Sequence, residues 1–249
     1  MDRDIWASNI TTDEAPPYSC PHCGVGTLEI VPKSLKKKET VASQKEHRNP
    51  DWDPEWIRYS FTAWLKCSRT ECEQGVAVSG RGSVDVAYDP EEGPEWYDSF
   101  EPLHFWPTLD IINIPDKTPD DVAKELRSAF SLFKIDPSAC ANRIRVSLEL
   151  LLDHLGVQRK KRTSGGKMKI LTLHERIELL RPKNPDVCDQ LIAIKWVGNT
   201  GSHSTFATTS DLLDVFEILE HALSEIVSER SKQVSKLAKK LTKKHSKRK

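Results

Sequence analysis

Short apolar runs separated by turn residues dominate the N-terminal half of the chain. The runs are rich in β-branched and aromatic residues and are bounded by Gly, Pro and Asp, a pattern typical of β-strands. They lie at residues 26–31, 56–67 and 75–88. The polar, Pro-containing segment 32–56 between the first two runs is interpreted as a long loop or insertion.

Beyond about residue 115 the apolar residues recur at helical spacing. Thr118, Pro119 and Asp121 predict a helix start, with a capping hydroxyl, a proline at the first helical position and an acid in the first turn. This helix extends to Phe133, and further helices are predicted at 137–156, 171–181, 186–199 and from about Thr209 onward. The pattern therefore predicts a five-helix α domain.

Four cysteines form two close pairs, Cys20 with Cys23 and Cys67 with Cys72, each beside a predicted strand. A pair at such spacing bends around a metal ion so that both thiolates point inward, and two pairs complete a tetrahedral site. The sequence therefore predicts a structural zinc ion, with redox thiols as the alternative. A closed four-thiolate site leaves no position for a substrate, so this zinc is expected to stabilise the fold and not to catalyse.

The other cysteines and the tryptophans are interpreted mainly as packing residues. Cys140 and Cys188 fall at apolar positions of predicted helices. Large rings are efficient core residues in a small module. Base stacking is the alternative, because exposed rings beside residues 36–38 would suit a single strand, although the acidic balance of this half argues against it. The N-terminal tryptophans are Trp52, Trp56, Trp64, Trp96 and Trp106.

A net charge of zero conceals an asymmetry along the chain. Residues 1–120 hold 22 acidic and 12 basic residues, whereas residues 121–249 hold 15 and 25. Much of the positive charge lies at 158–169 and 229–249. Such a basic face attracts nucleic acid or an acidic partner, although lysine-rich segments also occur as solvated surfaces. The tail is interpreted either as a basic amphipathic helix, because Val234, Leu237 and Leu241 keep helical spacing, or as a disordered segment.

Membrane and secretory signals are missing from the sequence. No apolar run approaches the roughly 18 residues of a membrane span. The N-terminus is acidic and lacks the apolar core of a secretory signal. The sequence therefore predicts a cytoplasmic protein in a reducing compartment, with no membrane partner.

Several segments of the helical half resemble the domain-of-unknown-function family 4145. They read "PDDVAKELRSAFSLF", "RIRVSLELLLDHLG", "LTLHERIELL" and "AIKWVGNTGSHS". The most specific parts are the Arg-x-x-Leu-Glu element from Arg145 to Glu149 and the Gly-Asn-x-x-x-His element from Gly198 to His203. The family often carries an N-terminal cysteine-pair zinc module, so the resemblance extends from about Cys20 to Ile226.

This family is similar to the broader HEPN group of helical domains, many of which act in defence and RNA processing. The resemblance implies a homodimer that cuts RNA without metal. His203 would then move protons, Lys195 would stabilise charge on the phosphate, and Asn199 would orient either the phosphate or the imidazole. Arg145 and Glu149 would support this site. Family members typically show arginine at the position of Lys195.

Two hypotheses of function stay open. The first is a defence-associated, antiviral protein that engages nucleic acid and acts on RNA as a metal-independent endoribonuclease. The second is a non-catalytic adaptor that dimerises and docks a protein partner. It is favoured by Lys195, which stands where family members typically show arginine. A helix C-terminus at Gly198 and Asn199 and an ordinary helix-surface ion pair of Arg145 with Glu149 are the structural alternatives to a catalytic site.

The predicted fold class under both hypotheses is α+β. A zinc-ribbon-like β module with an insertion is expected at residues 1–114, and a HEPN-like α-helical bundle at 115–228. A basic C-terminal tail is expected at 229–249.

Overall fold

The computed structural model describes residues 1–91, 93–200, 208–228 and 230–246. Antiparallel strands come first and helices follow, which confirms the predicted α+β class. The chain divides into two compact units, Asp2–Asp110, here called the sheet unit, and Ile111–Lys249 together with Met1, here called the helical unit. Among the described residues, no helix has the length and apolar character needed to cross a membrane.

Five strands form the curled sheet of the sheet unit. They are β1 (Leu28–Ile30), β2 (Lys36–Glu39), β3 (Arg58–Cys67), β4 (Gly75–Asp89) and β5 (Gly93–Trp106). All pairings are antiparallel, with β1 and β2 on one side of β3 and with β4 between β3 and β5. The three apolar runs of the sequence coincide with β1, β3 and β4. Two short helices, α1 (Arg3–Ala7) and α2 (Val41–Glu46), complete the unit with a 3-10 turn at Pro54–Trp56.

The segment predicted as a long loop is structured, because it contains β2, α2 and the 3-10 turn. Glu39 accepts a hydrogen bond from the buried Ser43 hydroxyl at 2.6 Å and contacts His47 Nε2 at 2.8 Å. The Ser43 hydroxyl in turn accepts from the Arg58 backbone amide at 3.1 Å. Side-chain hydrogen bonds therefore order this polar segment. The spacing of apolar residues gives no sign of such bonds, so it predicts a loop.

One face of the sheet forms the core of the sheet unit. Its buried residues include Phe61, Leu65, Val76, Val78 and Phe100, together with Ile10 and Tyr18 from the N-terminal segment. The packing interpretation of the tryptophans is wrong for four of the five, because Trp56 is 38%, Trp64 55%, Trp96 42% and Trp106 77% exposed. In β3, even-numbered residues such as Trp64 point away from the core, since side chains of a strand alternate between faces.

The helical unit contains six helices and one hairpin among the described residues. They are α3 (Asp120–Leu132), α4 (Pro137–His154), β6 (Lys160–Arg162), β7 (Met168–Ile170), α5 (Leu173–Glu178), α6 (Pro185–Thr200), α7 (Thr209–Ser228) and α8 (Arg230–Ser246). The five predicted helices coincide with α3 to α7, and the basic tail forms α8. Buried side chains of the core include Leu126, Phe130, Ile144, Leu148, Leu191, Leu212 and Phe216.

Local capping sets most of these helix boundaries. The Asp136 side chain accepts from the Ala139 amide at the start of α4. At the start of α5, Thr172 and Glu175 form a reciprocal capping box. The predicted cap at Thr118 is wrong, because α3 begins one residue later with Pro119 as its N-cap. The Thr118 hydroxyl is buried and makes no hydrogen bond within the described residues.

Candidate functional site

The two cysteine pairs converge at one end of the sheet. Cys20 and Cys23 precede β1, whereas Cys67 ends β3 and Cys72 lies in the loop to β4. All four sulfurs lie within 4.8 Å of one another. The Cys20 and Cys72 sulfurs are 3.7 Å apart, and those of Cys23 and Cys67 are 3.8 Å apart. The four cysteines are therefore positioned to hold a metal ion.

The donor set fits a tetrahedral ion. Four thiolates at about 2.3 Å from a central ion have neighbouring sulfurs about 3.8 Å apart. The Cys20–Cys72 and Cys23–Cys67 sulfur separations, 3.7 Å and 3.8 Å, match this edge. The predicted ligands Cys20, Cys23, Cys67 and Cys72 are thus the residues that the fold brings together. His22, which lies between Cys20 and Cys23 in the sequence, places its Nδ1 atom 3.6 Å from the Cys72 sulfur.

Two glycines shape the loop that carries the first pair. Gly24 adopts φ +64°, a left-handed conformation that glycine reaches without steric cost. The Gly26 amide donates to the Cys23 sulfur at 3.3 Å. A Cβ atom added at Gly26 would lie 2.5 Å from the Cys67 sulfur. The site therefore depends on glycine at position 26 because no side-chain carbon fits beside that sulfur.

The thiols differ in acidity. Backbone amides of Gly26 and Val25 donate to Cys23 and lower its pKa to about 6. The Arg69 amide lowers the pKa of Cys67, but burial and the neighbouring thiols outweigh it and raise this pKa to about 12. Thiolates, not thiols, bind metal ions, so an incoming ion has to displace the proton of Cys67. Burial raises the pKa of Cys140, which lies in the helical core as the sequence predicts.

The predicted catalytic residues are only partly described. Lys195 lies on α6 and is 9% exposed, with its ammonium nitrogen 3.5 Å from the centre of the Trp196 ring. Arg145 and Glu149 lie on α4 and form an ion pair at 3.6 Å. Among the described residues, no ion pair joins Lys195 to Glu149. His203 and the Asn199 side chain lie outside the described part of the chain, so their roles stay predictions.

Residues 158–169, which the sequence shows only as a charged segment, belong to a basic β-hairpin. Strands β6 and β7 pair in antiparallel register, with Lys160 opposite Ile170, Lys161 opposite Lys169, and Arg162 opposite Met168. Gly166 in the turn adopts φ +77°. Every residue from 158 to 170 is exposed, and none of them is acidic. We call residues 158–170 the basic hairpin.

The stem of the basic hairpin is fixed to the helical unit by ion pairs. Buried Arg176 on α5 donates to the Asp153 carboxylate at 2.6 Å and to the Val157 carbonyl at 3.1 Å. The same carboxylate accepts two hydrogen bonds from Arg159. On the other strand, Lys169 pairs with Glu175 at 2.6 Å. The hairpin therefore projects into solvent from an ordered base.

The remaining cations of the hairpin have no acidic partner among the described residues. Lys160, Lys161 and Lys167 form no ion pair with a described residue, and Arg162 donates to the Gly166 carbonyl across the turn. Their charges are therefore available to an external anion.

Comparison with known families matches the N-terminal and the C-terminal part of the chain to two separate families. Residues 127–244 match the family described as Domain of unknown function (DUF4145), which confirms the resemblance predicted from the helical segments. Residues 8–109 match a separate family, described as Domain of unknown function (DUF8608). No curated protein and no solved structure matches the sequence. The relation of the helical unit to the HEPN group stays a prediction.

Proposed function

We propose that this protein binds nucleic acid, with the basic hairpin as its contact to the phosphate backbone. The observation that carries the proposal is the exposed, acid-free surface of residues 158–170. The hydrogen bond between Arg176 and Asp153 fixes the base of this hairpin.

The geometry of a two-stranded ribbon suits this ligand. The major groove of duplex DNA admits either a helix or a two-stranded β-ribbon. Lysine and arginine side chains on such a ribbon neutralise phosphates and release condensed counterions, which drives binding. Lys160 and Arg162 lie on one face of the ribbon and Lys161 on the other, so cations are available toward either wall of a groove.

The proposed metal ion is a structural zinc ion. Its ligands are Cys20, Cys23, Cys67 and Cys72, and a four-thiolate set is typical of zinc sites that stabilise a fold. The ion would tie the loop before β1 to the end of β3 and to the loop before β4. Four cysteine ligands leave no open coordination position, so the role of zinc is to hold these chain segments together. All four cysteines are free thiols, consistent with a reducing, cytoplasmic setting.

RNA cleavage is a separate hypothesis for the helical unit, apart from the duplex contact of the basic hairpin, and rests on the predicted relation to defence-associated HEPN proteins. Cleavage would require His203, with Lys195 as the supporting cation. Burial of Lys195 beneath Trp196 favours binding over cleavage as the primary function, because a shielded ammonium does not reach a phosphate in this arrangement.

A second candidate function is a dimerising adaptor. Helix α8 supports it, because Val234, Leu237 and Leu241 are each more than half exposed and lie along one side of the helix. If the stripe joins two copies, Leu237→Asp/Leu241→Asp would convert a dimer to monomers in light scattering, whereas Thr242→Asp on the same helix would not. A monomeric parent protein would contradict this candidate.

The hairpin proposal is tested with two charge-matched triple variants. The first replaces Lys160, Lys161 and Lys167 with alanine. The control replaces three exposed lysines elsewhere in the helical unit, Lys117, Lys124 and Lys183. Fluorescence anisotropy with labelled RNA and DNA duplexes should show at least tenfold weaker binding for the hairpin variant and little change for the control. Equal losses in both variants, or no binding by the parent, would contradict the proposal.

A further inference from the structure

The solvent-facing side of the sheet carries two exposed tryptophans in one row. In the strand register Trp64 of β3 lies opposite Ala77 of β4, and Ala77 lies opposite Trp106 of β5. Residues directly opposite each other share a face of the sheet. The two tryptophans therefore lie on either side of Ala77 in the sheet, with their backbones two strand spacings or about 9.6 Å apart.

An irregularity in β5 places Trp106 on this face. The register between β4 and β5 shifts between Ser79 and Gly80, so that Leu103 has no partner. The extra residue reverses the alternation of β5 on either side of the shift. Trp96, opposite Val86, consequently lies on the other face, although it belongs to the same strand.

The same face carries cations although the unit as a whole is acidic. Lys36 lies opposite Thr62 and Lys38 lies opposite Ser60, so both lysines share the face of Trp64. Neither lysine has an acidic partner among the described residues. Arg58 also lies on this face, and its guanidinium donates to backbone carbonyls of Glu55 and Ile57, which leaves its charge without a carboxylate.

Two carboxylates on this face already have basic neighbours. Glu101 accepts from Arg81 at 2.6 Å. Glu29 lies directly opposite Lys66 in the register of β1 and β3, and Lys66 itself pairs with Glu73 at 2.6 Å. The area between the tryptophans and Arg58 therefore has a positive balance.

A cavity of about 270 Å³ opens on this face at the start of β3. Arg58 and Arg81 line it together with the polar side chains of Asn9, Ser83 and Ser99 and with Glu101, whose carboxylate accepts from Arg81 and leaves Arg58 without a carboxylate partner. Asn9 donates to the Ser99 hydroxyl at 2.8 Å. Arginine and hydroxyl groups are the usual donors to phosphate oxygens, so the cavity offers a phosphate subsite beside the aromatic row.

We infer that this face of the sheet unit binds single-stranded nucleic acid, with one base stacked on Trp64, another on Trp106, and a backbone phosphate at Arg58 and Arg81. The inference goes beyond the proposed function, because it adds a single-strand site on the sheet unit to the duplex contact of the basic hairpin. Aromatic platforms flanked by cations bind single strands because the faces of unpaired bases are free, whereas those of a duplex are buried in its stack.

The test is binding of the full-length, zinc-loaded protein to oligouridylate, oligothymidylate and a duplex of the same length. The variants are Trp64→Ala/Trp106→Ala, the stacking-competent Trp64→Phe/Trp106→Phe, and the control Trp96→Ala. Trp96 is 42% exposed on the opposite face of the sheet. Each stacking ring contributes about tenfold in affinity, so the double alanine variant should bind both single strands about 100-fold more weakly.

Duplex affinity should be unchanged in the double alanine variant, and the phenylalanine variant should retain most single-strand binding. Single-strand affinity equal to that of the parent, or an equal loss in Trp96→Ala, would overturn the inference. The proposed function would survive that result if Lys160→Ala/Lys161→Ala/Lys167→Ala still weakens duplex binding. If the parent binds none of the three probes, both the inference and the proposed function are wrong.

Discussion

The Arg176 guanidinium donates to the Asp153 carboxylate at 2.6 Å, and only 4% of the Arg176 side chain is exposed. Arg176 also donates to the carbonyls of Glu149 and Val157. One buried arginine on α5 thus connects the end of α4 to the stem of the basic hairpin.

Replacing Arg176 should destabilise the helical unit and loosen the hairpin. Arg176→Ala removes the buried guanidinium, leaves two carbonyls without their side-chain donor and leaves Asp153 with Arg159 as its remaining donor, which is expected to cost about 2–4 kcal/mol of unfolding free energy. Urea denaturation measures this loss. Exposed Arg143→Ala on α4, which removes only a surface ion pair with Glu125, should cost less than about 1 kcal/mol. Similar losses in the two variants would contradict the anchoring role of Arg176.

The same network predicts a pH dependence. Hydrogen bonds from Arg159, and then from Arg176, lower the pKa of Asp153 to about 2. A carboxyl whose pKa is lower in the folded state stabilises the fold above its unfolded pKa of about 4. This contribution is lost as the pH falls toward 2. Because Asp153 is 31% exposed, solvent screening limits the contribution to about 1 kcal/mol.

The Asp153→Asn variant should therefore be less stable than the parent at pH 6, and the difference should shrink between about pH 4 and pH 2. Unfolding free energies of both proteins across this range provide the measurement. A difference that stays constant, or grows as the pH falls, would refute the ion-pair account of the stem.

The spacing of apolar residues along the sequence predicts the helices but not the basic hairpin. Helices α3 to α7 bury a periodic apolar face, and that period is visible in the sequence. The strands of the basic hairpin bury neither face, so Lys160, Lys161 and Arg162 follow one another without alternation. Strand β5 was missed because it contains Pro94 and Pro102, and proline is tolerated only at sheet edges and bulges.

The metal site could be predicted because its ligands are close pairs in the sequence. The aromatic row could not be predicted. Trp64 and Trp106 are far apart in the sequence, and only the strand register brings them to the same face. The shift at Ser79 and Gly80 adds one residue to β5 and decides which face Trp106 occupies.

Position 26 provides a sharp test of the metal centre. Gly26→Ala places a Cβ atom 2.5 Å from the Cys67 sulfur, whereas Gly165→Ala in the hairpin turn meets no atom within 4 Å. Elemental analysis should find about one zinc per chain in the parent and in Gly165→Ala, and markedly less in Gly26→Ala and Cys20→Ser/Cys23→Ser. Full zinc content in the double serine variant would show that these cysteines are not the ligands.

The catalytic prediction for His203 has its own test. If His203 moves protons during RNA cleavage, purified protein should cut RNA without divalent metal, and His203→Ala should lower the rate at least about 100-fold. His221→Ala, an exposed histidine on α7, is the matched control and should cleave at the parent rate. Cleavage that is equal in all three proteins, or absent from the parent, would remove the ribonuclease hypothesis without affecting nucleic-acid binding.

The central claim is that cations of the basic hairpin contact phosphates, and the salt dependence of duplex DNA affinity tests it most directly. Each phosphate contact adds about 0.9 to the slope of log affinity against log salt concentration. The Lys160→Ala/Lys161→Ala/Lys167→Ala variant should therefore have a slope shallower than that of the parent by about 2 to 3, and the Lys117→Ala/Lys124→Ala/Lys183→Ala control should keep the parent slope. A hairpin variant with the parent slope would contradict the account.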